Sequence, residues 1–242
     1  MKEFIQALYH AARSIPALGV CGSFTLLIAH MRMGTYRIRP KGYAHSLTVR
    51  GGTSDPLLVY SVFTLREYPV LCDPAIDLVI DAGANVGYSV AYFAQNYPGA
   101  KIVAIEPEPD NYVVLCKNIA KTTGVVSHNR ALWYRHANVR LANPGSQTMC
   151  FRFVECAEGG LPSMTLSDII QDHRGPGKIL LKLDIEGAEA AIFERDASWL
   201  ANVDYVFIEI HACWQQVFRA LYPYNYSARI NGENVIITMD RG

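Results

Sequence analysis

Short apolar runs alternate with helix-patterned stretches from Asp77 onward, and this rhythm limits the fold more than any other feature of the chain. Strands are expected at Leu78–Ile80, Lys101–Ile105, Val125–Ala131, Lys178–Leu183 and Tyr205–Ile210. Helices are expected near Gly87–Asn96, Asp110–Lys121, Thr165–Gln171, Gly187–Glu194 and Trp214–Leu221. Such alternation implies a parallel sheet built from right-handed crossovers, with helices on both faces. A composition that is 50% hydrophobic and 18% charged fits a sheet covered in this way. Two further strands, about Ser227–Ile230 and Val235–Met239, flank Asn231-Gly232, a dipeptide that favours a tight hairpin, so this last pair is antiparallel. The fold class is therefore α/β, a Rossmann-like doubly wound, mostly parallel sheet with an antiparallel last strand. Residues 133–163 interrupt the rhythm and read as an insertion or hairpin with a strand near Met149–Val154.

Before Asp77 the pattern differs. Residues 1 to about 33 look helical, since Phe4, Ile5, Leu8, Ala11 and Ala12 recur at helical spacing. Residues 34–56, broken by glycine and proline, read as strands and loops, and a helix is expected from Asp55-Pro56 to about Glu67. The charge-free run Ile15–Ala29 is shorter than the roughly 20 residues of a stable membrane span and follows Lys2, Glu3 and Arg13, unlike a signal peptide. It reads as a helix or helical pair covering the main domain, with loose attachment to a membrane surface as the alternative. A chain of 242 residues suits one large domain, here 48–242, behind an extension, 1–47.

The turn after the first parallel strand, Asp81-Ala82-Gly83-Ala84-Asn85-Val86-Gly87, carries the strongest chemical signal. Glycines there let a ligand approach the backbone, and a helix start presents free N–H groups. Ligands of open α/β sheets lie beyond the carboxyl ends of the strands, where strand order reverses. The dinucleotide fingerprint G-x-G-x-x-G and the P-loop pattern are both missing. Asp81 would repel a pyrophosphate but attract a cation, such as the sulfonium and ammonium groups of S-adenosylmethionine. Glu106, ending the second strand, is placed to accept both ribose hydroxyls. Pro107 beside it and Ala131 at the end of the third strand complete the expected cofactor set of Asp81, Gly83, Asn85, Gly87 and Glu106. The alternative is a plain βα turn with a solvated glutamate.

Read together, VIDAGANVGYSVAYFAQNYPGAKIVAIEPEPDNY, TLSDII, ILLKLDIEGAEAAIFE and YVFIEIH resemble the FkbM-type methyltransferases, and RGGTSDPLLVYSVFTLREY resembles the lead-in of that family. The resemblance covers about residues 48–240. It implies the seven-stranded class I methyltransferase fold, S-adenosylmethionine as cofactor, and Asp81, Gly83, Asn85, Gly87 and Glu106 as its ligands. It also implies O-methylation of a sugar or secondary-metabolite hydroxyl.

The catalytic candidates end the next two strands: Asp184 and Glu186 after the fourth, in an acidic cluster with Glu189, and Glu209 and His211 after the fifth. Glu186 and Glu189 are equally well placed as first-turn acids of the following helix. An alkyl hydroxyl attacks a methyl group only as its proton is accepted, and Asp184, Glu186, Glu209 or His211 is the candidate acceptor. A carboxylate pair gripping sugar hydroxyls, or holding a divalent cation, are further options, but no clear ligand set is visible and no metal is expected. Thr53, Ser54 and Asp55 are candidates to line the site or to form a helix cap. Tyr222, Tyr224 and Tyr226 are candidates for an acceptor platform, an interface or core packing.

A net charge of zero argues against a nucleic-acid acceptor, although a local basic patch is compatible with it. None of the six cysteines forms a C-x-x-C pair, so they read as reduced, buried thiols of a cytoplasmic protein. The expected function is an O-methyltransferase acting on a small-molecule or glycan hydroxyl. An NAD-dependent oxidoreductase and a non-catalytic cofactor-binding module are the competing classes.

Overall fold

The computed structural model describes residues 2–142, 153–185 and 187–241. After helix α1 (Lys2–Met31) come a hairpin, β1 (Gly34–Ile38) and β2 (Leu47–Gly51), and helix α2 (Asp55–Val59), which continues as a π-helical turn through Tyr60–Leu65. The alternating region follows: β3 (Ile76–Ala82), α3 (Tyr88–Asn96), β4 (Lys101–Ile105), α4 (Pro109–Ile119) and β5 (Val125–His128). Four short strands, β6 (Ala131–Leu132), β7 (Asn138–Leu141), β8 (Phe153–Cys156) and β9 (Leu161–Met164), lead to α5 (Leu166–His173). The chain then runs β10 (Lys178–Leu183), α6 (Glu189–Arg195), β11 (Tyr205–Glu209), α7 (Trp214–Leu221), β12 (Tyr226–Asn231) and β13 (Asn234–Met239).

The main sheet has seven strands in the order β12-β13-β11-β10-β3-β4-β5. β3, β4, β5, β10 and β11 pair in parallel, and β13 runs antiparallel to both of its neighbours. This is the doubly wound, mostly parallel α/β sheet expected from the alternation. Strand residues point alternately to two buried layers. Val79, Ile102, Leu180 and Phe207 pack with α1, α3 and α4, while Leu78, Ile80, Val103 and Leu181 pack with α5, α6 and α7. Strand order reverses between β3 and β10, which opens the crevice where ligands of such sheets lie.

The third parallel strand is shorter than expected. It ends at His128, because the Asn129 side chain turns back to donate to the Glu106 and Pro107 carbonyls, at 2.9 and 3.1 Å. Ala131–Leu132 instead joins a second sheet of order β6-β9-β7-β8, which takes in β7, β8 and β9 from the region expected to be an insertion. Of the strand expected at 149–154, residues 149–152 lie outside the described residues, and β8 begins at Phe153. α5 starts with a capping box between Thr165 and Asp168, which fixes its first turn.

α1 docks on the domain along one side. His10 stacks on Tyr60 at 4.1 Å, Ser14 bonds Thr64 at 2.8 Å, and Leu18, Leu26 and Ala29 enter the core. The helix breaks at Gly19, whose φ of 72° and ψ of 173° are not helical. Asp55 is fully buried in a two-pronged ion pair with Arg50, at 2.8 and 3.0 Å. The Thr53–Asp55 segment thus secures the start of α2. Not all the thiols are buried: Cys213 is, but Cys21 and Cys72 are exposed, and Cys150 lies outside the described residues.

Candidate active site

A cavity of about 510 Å³ sits at the carboxyl ends of β3, β4, β10 and β11. Its wall includes Gly83, Ala84, Asn85, Glu106, Pro107, Ala131, Asp184 and Glu209. Gln6 and His10 of α1 and Tyr60 and Ser61 of the π-helical turn close the other side. π-helical turns are uncommon and cluster at functional sites.

The glycine turn is held to the end of β4 by its own backbone. Gly83 and Ala84 donate to the Ile105 carbonyl at 3.0 and 2.9 Å. Gly83 has φ of 80°, and a Cβ there would stand 1.7 Å from the Asp184 carbonyl oxygen, so only glycine lets β3 and β10 end this close together. The Glu106 carboxylate accepts the Asn85 N–H at 2.8 Å and the Glu108 N–H at 2.9 Å. Burial pushes its carboxyl up to about 7, against those two N–H bonds, which favour the anion. Gly87 lies outside the cavity wall and starts α3 against Leu115.

Asp81 lies behind the wall, fully buried, with its Oδ1 3.3 Å from Lys182 Nζ. Lys182 is the last residue but one of β10 and is 2% exposed. Its ammonium donates to the Gly83 carbonyl at 2.5 Å and lies 3.4 Å from Asp184. Burial opposes this charge, yet Tyr68, Asp81, Asp184 and Glu67 around it hold it well above the usual lysine range. Burial likewise raises Asp184 to about 6, and the lysine counters part of that rise. Glu67, also on the cavity wall, is raised by burial and accepts hydrogen bonds from Ser61 and Asn234. Sequence reasoning missed Lys182 and Glu67. The only signal for the lysine was a charge interrupting the apolar run KILLKL.

His211 bridges two acids, with Nδ1 3.1 Å from Glu189 and Nε2 3.2 Å from Glu209. Glu189 also accepts the Ile185 and Gly187 N–H groups at 2.9 and 2.7 Å, the role of a first-turn acid. Bonds to Glu189 and then Glu209 raise the histidine to about 11, so it is an imidazolium at neutral pH. With both nitrogens donating, it has no lone pair for a substrate proton, and the general-base role expected for it does not fit this geometry. Asp184, Glu209 and His211 offer atoms within 4.8 Å of one another that could hold a metal ion, but the histidine would first have to give up its Nε2 proton. Glu186 lies outside the described residues.

The bridge has a pH signature. A histidine raised from about 6.5 contributes its full stability below that value and loses it as pH rises toward 11. The difference in Tm between the wild type and His211→Gln should therefore stay level below about pH 6.5 and narrow above it. A difference that does not change from pH 6 to 10 would contradict the bridge.

The wall also shows what the cavity suits. Glu67, Asp184 and Glu209 on the wall, with Asp81 and Glu189 behind it, outnumber the cations Lys182 and His211, an excess of acids that favours a cationic ligand. Glu106, across the cavity, is a buried acceptor at the height of the glycine turn. This donor set fits a sulfonium nucleoside better than a dinucleotide pyrophosphate.

Residues 81–226, more than half of the chain, match the model of the family described as methyltransferase FkbM domain. Methyltransferase sdnD of Sordaria araneosa is 27% identical over 173 residues, 55% of this chain and 65% of that protein. Hexuronic acid methyltransferase AglP of Haloferax volcanii is 25% identical over 138 residues, 56% of each. A solved methyltransferase FkbM from Methylobacillus flagellatus KT superposes with a TM-score of 0.47 at 16% identity, over 70% of this chain and 45% of that one. The chain thus spans less than two thirds of the length of each of these three proteins.

Proposed function

We propose that this chain, which belongs to the methyltransferase FkbM domain family, transfers a methyl group from S-adenosylmethionine to a hydroxyl oxygen of a sugar or a related small molecule. The cofactor supplies an electrophilic methyl group on a sulfonium, a leaving group that needs no further activation. Glu106 would hold the ribose hydroxyls, with Pro107 and Ala131 beside it and the backbone of Gly83, Ala84 and Asn85 framing the turn. Asp184 accepts the proton of the acceptor hydroxyl. At about 6, its carboxyl is largely ionised at neutral pH yet basic enough to take that proton. Glu209 and Glu67 offer carboxylates to neighbouring hydroxyls, and Lys182 keeps Asp184 in place. The relative named for hexuronic acid supports a sugar acceptor.

The observation that carries this reading is the tie between Glu106 and the Asn85 N–H, which joins the buried acid to the glycine turn at one edge of an acid-rich cavity. Calorimetry tests it. S-adenosylhomocysteine should bind the wild type, NAD should not, and Glu106→Ala should weaken S-adenosylhomocysteine by at least about 100-fold, the loss of two hydrogen bonds to a charged group. Unchanged affinity in the variant would remove Glu106 from the cofactor site. Transfer of labelled methyl to a panel of sugars tests the acceptor, and binding without transfer to any of them would favour a non-catalytic module.

A further inference from the structure

We propose that α1 and the hairpin behind it form a docking surface for an anionic lipid bilayer. The inward side of α1 is anchored by His10, Ser14, Leu18 and Leu26. Its outward side is apolar and uncovered: Ile5, Leu8, Tyr9, Val20 and Phe24 are exposed, Val20 by 71% and Phe24 by 62%. Ile5, Leu8 and Tyr9 follow the three- and four-residue spacing that places side chains on one helix face. An apolar helical face of this kind is what lies at a bilayer interface.

The charge around it selects the occupant. The first 50 residues hold seven basic side chains and one acid, Glu3, a net of +6, so the zero of the whole chain leaves −6 for the remainder. Lys2, Arg13, Arg32, Arg37, Arg39 and Lys41 are all exposed. The Lys41 N–H donates to the Ala17 carbonyl at 2.8 Å, which sets the basic end of the β1–β2 hairpin beside the break at Gly19 and next to Val20. Apolar side chains flanked by cations match an anionic lipid surface. They suit a second copy of the chain poorly, since a two-fold contact would bring like cations together. The anchored inward side makes α1 lie along a bilayer rather than cross it. Gln6 and His10 of this helix line the cavity, so docking would bring the candidate active site to within about one helix diameter, ~10 Å, of the lipid.

The test is sedimentation of the full chain with vesicles of phosphatidylcholine containing about 30% phosphatidylglycerol, against pure phosphatidylcholine. The anionic vesicles should bind at least about tenfold more tightly, and about 0.5 M salt should abolish that preference. Ile5→Ser/Phe24→Ser should lower the binding at least about tenfold while S-adenosylhomocysteine affinity and Tm stay at wild-type values. Arg32→Gln/Arg39→Gln/Lys41→Gln should remove the preference for anionic vesicles. No binding to either vesicle, or equal binding by the wild type and both variants, would overturn the proposal. A dimer of the wild type that Ile5→Ser/Phe24→Ser dissolves would also overturn it, by assigning the apolar face to a second copy.

Discussion

Asp184→Asn is expected to lower turnover by about 10²–10⁴-fold while S-adenosylhomocysteine affinity changes less than about threefold, because a proton acceptor serves the transition state more than the bound cofactor. The substitution keeps the shape of the side chain and its place at the end of β10, and removes its basicity together with the negative charge 3.4 Å from Lys182. The pH profile of the wild type should carry the same group. At saturating cofactor, kcat/KM for the acceptor should fall as pH drops through about 6, where burial has raised this carboxyl and its protonated form can no longer accept a proton. The variant should lose that acid limb. Equal losses of turnover and cofactor affinity would reassign Asp184 to cofactor binding, and an unchanged acid limb would assign the titration to another group.

Lys182→Met should be the most destabilising single change near the site. The methionine fills the space of the lysine stem, but Asp81 is fully buried and would lose its only neighbouring ion-pair partner among the described residues. Removing one member of a buried pair costs about 3–5 kcal/mol. For a chain of this length each kcal/mol lowers Tm by about 2–4 °C, so the drop should be about 6–20 °C. The lysine also lowers the Asp184 carboxyl, so any acid limb surviving in the variant should move to higher pH. Asp81→Asn/Lys182→Met removes both charges and should recover much of the stability. A variant as stable as the wild type would mean that Asp81 finds compensation elsewhere.

The fold was legible in the sequence because its main sheet is made of consecutive local units. Each of the five parallel strands from β3 to β11 announces itself as a short apolar run, and Asn231-Gly232 marks the hairpin that reverses β13. The second sheet was not legible, since β6 pairs with β9 and β7 with β8 through contacts that no local pattern encodes. The end of β5 was misjudged for a similar reason, as the Asn129 side chain stops the strand by reaching back to Glu106. The meeting of the glycine turn with Glu106 was readable because both sit at fixed offsets from strand ends. The ion network was only half readable. The acids stand in plain sequence order, but Lys182 reads as an ordinary strand charge until its neighbours Gly83 and Asp81 are placed beside it. His211 looked like a base because sequence shows a histidine near acids but not that both ring nitrogens are engaged.

The most direct test of the cavity is a crystal structure of the protein grown with S-adenosylhomocysteine. The ribose hydroxyls should lie about 2.6–3.0 Å from the Glu106 carboxylate, with the sulfur turned toward the side of the cavity that holds Asp184 and Glu209. A nucleoside bound outside this cavity, or one whose ribose leaves Glu106 untouched, would contradict the assignment of the site.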